Sequence, residues 1–181
     1  MHSRIPVAAE RAFTLVELLA AVGAVVVILG AATGFMLTAF LRENAVLEAQ
    51  RLEAMHDDLA RTMARTIKTA DAFQVYADQS HYQPDRLGNG VRAGNFLVCL
   101  RTDPDGTQTE SGFELSGSRI VYTRTVGAGT ATVKTYTNAR LPSGVVNLFN
   151  MQLGIVQAVW EVETRQDLLP FRICAMPLVM R

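Results

Sequence analysis

The sequence is poor in the residues that build most chemical sites. Of its 181 residues only two are cysteines and three are histidines, the latter scattered at His2, His56 and His81. Two cysteines cannot make a disulfide-dense scaffold, nor, without histidine, a four-ligand zinc site. Charge of one sign is also missing, because 17 Lys and Arg stand against 17 Asp and Glu. A nucleic-acid binder usually carries a basic surplus and an acidic disordered chain the reverse, so neither is expected. The HExxH, GxSxG, P-loop and GxGxxG motifs are absent. No enzymatic activity, metal or cofactor is therefore expected. Proline is missing from the whole of 13–83, so nothing there forces a helix to break.

What the chain has in quantity is apolar residues, concentrated near the N-terminus. Residues 18–41, LLAAVGAVVVILGAATGFMLTAFL, contain no charge. As a helix this segment spans roughly 36 Å at about 1.5 Å per residue, enough to cross a bilayer core of about 30 Å. Arg4 and Arg11 precede it, which by the positive-inside rule leaves the short N-terminus in the cytoplasm and the bulk of the chain outside. A cleaved secretory signal is the competing reading. Its apolar region would be about 7–15 residues long and end at a small-residue cleavage site. This run is longer and continues into FLRENAVLEAQRL, a helical pattern.

Over residues 42–73 the pattern becomes amphipathic. Leu52, Met55, Leu59, Met63 and Ile67 recur every three or four positions, one stripe of a helix. A continuous helix from Phe13 to Ala72 is predicted, on the order of 90 Å long, with an outer half whose stripe needs a cover. Residues 74–181 supply one. Ten of the 13 glycines and five of the six prolines fall there, and the period changes to two. In 155–163, Val156, Ala158, Trp160 and Val162 share one face. Segments 95–102, 119–126, 130–137 and 171–176 are rich in strand formers,. Turn residues separate them, as in Asp103-Pro104-Asp105-Gly106,. The expected fold is α+β: a long N-terminal helix, half apolar and half amphipathic, packed on an antiparallel sheet of about five to seven strands.

The junction Arg11-Ala12-Phe13-Thr14-Leu15-Val16-Glu17-Leu18-Leu19 places a single acid at the start of the apolar helix. An ionisable group there is a functional candidate by default; the alternative is a carboxylate lying in contact with interfacial water. This stretch resembles the processing site of type IV pilin-like proteins, a family of pilins, minor pilins and type II secretion pseudopilins. The resemblance implies a basic leader, residues 1–12, removed by a prepilin peptidase between Ala12 and Phe13. It also implies N-methylation of Phe13, and a fifth mature residue, Glu17, that neutralises the amine of a neighbouring subunit during assembly. The family usually has Gly before the cut, where this chain has Ala12, the next smallest residue.

The resemblance further implies a pilin-like fold with residues 13–41 as transmembrane and assembly helix, 42–73 as its amphipathic continuation and 74–181 as a β-rich domain. The implied role is that of a minor pilin or pseudopilin, anchored in the bacterial inner membrane and able to enter a type IV pilus or secretion pseudopilus. Its partners would be sister pilins, the prepilin peptidase, and an inner-membrane assembly platform with its ATPase. A single-pass anchored extracytoplasmic binding domain that does not polymerise is the alternative. Gly30 and Gly34 form a GxxxG match, which suits close helix packing but is also ordinary in membrane helices. Cys99 and Cys174 are each expected in a strand, partly exposed, either as a disulfide or as two separate packing residues. Asp103–Gly106 reads as a plain turn rather than a calcium loop. His56 and His81 read as solvated surface.

Overall fold

A computed structural model describes residues 14–82, 90–165 and 167–178. One long helix, α1 (Leu15–Thr69), is followed by ten strands: β1 (Ala72–Tyr76), β2 (Ala93–Gly94), β3 (Phe96–Thr102), β4 (Gln108–Ser116), β5 (Arg119–Val126), β6 (Thr132–Thr137), β7 (Ala139–Arg140), β8 (Phe149–Gln152), β9 (Ile155–Glu163) and β10 (Leu168–Ala175). The chain divides into two units, residues 1–44 and 45–181. Within the first, the described part of α1 is exposed along its whole length.

In the second unit the helix ends earlier than its proline-free sequence predicts, at Thr69 rather than Ala72. Tertiary pairing stops it. Asp71 N–H donates to the Leu100 carbonyl at 2.9 Å, and Ala72–Tyr76, with its β-favouring Phe73, Val75 and Tyr76, pairs antiparallel with β3,. Sequence also predicts one sheet, whereas the structure has two. The first runs in the order β1-β3-β4-β5-β6; the second runs β10-β9-β8-β2, with β7 also paired to β9. Every pairing is antiparallel.

The chain crosses between sheets at Asn95, between β2 and β3. Its backbone N–H donates to the Ala77 carbonyl, its carbonyl accepts from Leu115 N–H, and its side-chain oxygen accepts from Leu148 N–H at 2.9 Å. Gly94, beside it, could not carry a side chain: a Cβ there would stand 1.9 Å from the Tyr76 carbonyl oxygen. This close approach brings β2 of the second sheet against β1 of the first.

The two sheets and the second half of α1 share one core. From the helix come Leu59, Met63 and Ile67, all fully buried, with Leu52 and Met55 packed at the edge. The first sheet contributes Leu97, Phe113, Ile120 and Tyr122, and the second Phe149, Val156, Ala158, Trp160 and Val162. The alternation of β9 places its four apolar residues inward, as its period of two requires,. The run Phe96-Leu97-Val98-Cys99 does not alternate because both of its faces are covered: Phe96 and Val98 pack with Tyr76 in a separate small cluster,.

Candidate functional site

Thr14 is the last non-helical residue before α1, and its side chain caps the helix. The Glu17 backbone N–H donates to Thr14 Oγ1 at 3.3 Å. In return the Glu17 carboxylate accepts from the Thr14 backbone N–H and from its hydroxyl, both at 3.0 Å. This is a reciprocal capping box, written in sequence as T-x-x-E. The helix start has four amide groups without intrahelical acceptors, and a carboxylate there also meets the positive end of the helix dipole. Glu17 thus has partners within its own chain. Ala12 and Phe13, the residues of the implied cleavage and methylation, lie outside the described residues.

The apolar part of α1 presents Leu, Val, Ile, Phe and Met side chains at more than half exposure, from Leu15 through Leu41. Among the described residues this is the one helix long and apolar enough to cross a membrane. Its hydroxyls are satisfied internally. Thr33 Oγ1 donates to the Leu29 carbonyl at 2.7 Å, and Thr38 Oγ1 to that of Phe35 at 2.8 Å, so neither needs water. Gly30 and Gly34 face open space, with no described atom within 4 Å of where a Cβ would sit. Packing among the described residues therefore gives no reason for either glycine.

The structure separates the two cysteines. Cys99 lies in β3 of the first sheet and Cys174 in β10 of the second, and both are free thiols. Cys99 is buried rather than partly exposed as its neighbour Arg101 suggests; burial pushes its thiol up to about 12. Cys174 is exposed. Asp103–Gly106 closes the turn from β3 to β4, where Gly106 takes a φ of +84° and its N–H donates to the Asp103 carbonyl at 2.9 Å. Among the described residues no three His, Cys, Asp or Glu groups come together to hold a metal ion.

His56 corrects the reading of solvated surface. It is fully buried, its Nε2 lies 2.8 Å from the Thr137 carbonyl, and the Trp160 indole N–H donates to its Nδ1 at 3.1 Å. An indole nitrogen only donates, so Nδ1 is the accepting nitrogen and Nε2 carries the proton in the neutral ring. Charged residues flank His56 in sequence, but helix geometry puts it on the face of Leu59 and Met63,. His81 is exposed, as its loop position suggests, with Nδ1 2.8 Å from Asp78.

No protein-family model, curated protein or solved structure matches this chain.

Proposed function

We propose that this chain is a type IV pilin-like structural subunit, a minor pilin or pseudopilin. In this reading it is cut between Ala12 and Phe13, methylated at Phe13, and assembled through its apolar helix into a pilus or secretion pseudopilus. Its place would be the bacterial inner membrane, with the β-rich domain outside and with sister pilins, a prepilin peptidase and the assembly platform with its ATPase as partners. One observation carries the proposal: a single acid, Glu17, stands in the first turn of a 55-residue helix whose apolar first half is exposed. Removal of residues 1–12 would place a cationic amine on Phe13, next to Thr14. A neighbour's Glu17 could neutralise that amine where the surrounding dielectric is low. The two open glycines, Gly30 and Gly34, would let such helices approach closely,.

The alternative is a single-pass anchored extracytoplasmic domain that does not polymerise. The capping box favours it, because it gives Glu17 a local role without any neighbour. Two substitutions separate the readings. Glu17→Gln keeps an acceptor for the Thr14 N–H, since Gln serves in this motif as Glu does, but removes the charge. Glu17→Val removes both. Intact mass of the native N-terminus reports maturation, and co-purification with sister pilins reports assembly. The expected result is a chain beginning at methylated Phe13 that loses its sister pilins in both variants. A native chain beginning at Met1, or a Glu17→Gln variant that assembles as wild type, overturns the proposal.

A further inference from the structure

On the helix-facing side of the first sheet, one cross-strand row, Leu97, Phe113 and Tyr122, belongs to the core. The next two rows toward the β3–β4 turn change character. They read Cys99, Ser111 and Arg124, then Arg101, Thr109 and Val126. Opposite them stand Thr62, Arg65, Thr66 and Thr69 of α1, and together these elements line a half-open cavity of about 300 Å³. Its buried wall is formed by Ala70, Cys99, Thr109, Ser111 and Tyr122, whereas Arg65, Arg101 and Arg124 are exposed.

Three features of this cavity point to an anion. Thr109 is only 6% exposed, and among the described residues its Oγ1 has no hydrogen-bond partner. A buried hydroxyl without a partner is unfavourable, and Thr109 is one of the residues lining the cavity. Among the described residues no acidic side chain lines it, and neither Arg65 nor Arg124 has an ion-pair partner. Arg101 pairs with Asp103 at 2.8 Å. The Cys99 thiol stays neutral and does not repel an anion. The end of α1 itself has the wrong polarity for one, so the attraction must come from the guanidinium groups.

We propose that this cavity binds a phosphate group, with Arg65 and Arg124 as its charge partners and Thr109 Oγ1 as its buried donor. Guanidinium forks pair with carboxylate and phosphate alike, but a phosphate group brings a charge of about −1.5 to −2 and three acceptor oxygens, which donors on both the helix and the sheet can share where acetate offers one charge. The volume lies at the low end for ligand sites, enough for inorganic phosphate or for the phosphate of a small monoester. The site lies wholly within residues 45–181 and does not depend on assembly through Glu17.

The test is calorimetric titration and thermal unfolding of the full chain in detergent micelles. The probes are inorganic phosphate, glycerol 3-phosphate and, as a planar control, acetate. Saturable binding of a phosphate probe is expected, with acetate at least about tenfold weaker; the tighter phosphate probe identifies a free ion or a monoester as the occupant. Arg65→Gln and Arg124→Gln, both at exposed positions, should each weaken binding about tenfold. Asp103→Asn should tighten it by releasing Arg101. Thr109→Val should raise the Tm without phosphate, because the orphan hydroxyl is gone, and lower the phosphate-induced rise in Tm. No saturation by either phosphate probe at about 10 mM, acetate binding as tightly as phosphate, or unchanged affinity in both arginine variants overturns the proposal.

Discussion

At the residue scale, His56 shows how a polar group is retained inside this core. Its ring bridges α1 to both the Thr137 carbonyl and the Trp160 indole, while Trp160 stacks on Phe171 with ring planes 9° apart. Burial depresses the His56 pKa below its ordinary 6.5, with the Thr137 carbonyl acting in the opposite sense to a smaller extent. The unfolded chain therefore takes up a proton at this ring before the folded one does. The His56 contribution to stability is fully present above about 6.5, falls as pH drops below that value and levels off below the folded pKa. Chemical denaturation of wild type and His56→Leu between pH 7.5 and 5, a range set by the ordinary titration of histidine, should show the wild type losing more stability than the variant. At pH 7.5 the variant should be about 2 kcal/mol less stable, since Trp160 N–H and the Thr137 carbonyl each lose a partner.

At the scale of elements, the tight connections and the helix stripe make separate demands. The β8–β9 hairpin pairs Gln152 with Ile155 across a two-residue loop. Both loop residues have positive φ, 51° at Leu153 and 76° at Gly154, as a two-residue hairpin turn requires. Glycine adopts this readily; leucine does not. Leu153 is 96% exposed and buries almost nothing in return. Leu153→Asn should raise stability by about 1 kcal/mol, read as a higher Tm with an unchanged fold. Met63 is the reverse case, fully buried at the centre of the helix stripe. Met63→Asp would bury an unpaired charge and should cost on the order of 4 kcal/mol or more. A Met63→Asp protein with wild-type Tm would show that the stripe is not where the core is made.

At the scale of the whole molecule, all the fully buried side chains among the described residues belong to residues 45–181. Residues 45–181 expressed alone should therefore fold cooperatively and resist proteolysis. A broad, non-cooperative unfolding transition would mean that residues before Ala45 support the core. The apolar part of the helix makes no comparable contribution to burial, and its exposed surface of Leu, Val, Ile and Phe calls for lipid or other helices as its surroundings,. That exposed surface supports the anchoring and assembly role proposed above.

The division between sequence and structure follows from the range of the forces involved. Local periodicity determined the long helix, the stripe Leu59, Met63 and Ile67, and strands such as Arg119–Val126 and Ile155–Glu163, because each rests on spacing within a single element,. The Thr14–Glu17 capping box carries a sequence signal, T-x-x-E, that spans four residues and was missed in the reading of the sequence,. Tertiary structure alone decided the rest. The switch between sheets at Asn95, the end of α1 at Thr69, and the burial of His56 against Trp160 depend on residues brought together from distant parts of the chain. The same holds for the separation of Cys99 from Cys174 and for the arginine-rimmed cavity, whose walls come from α1, β3, β4 and β5. Periodicity reports which face of an element is apolar; which other face meets it is decided only when the chain closes on itself.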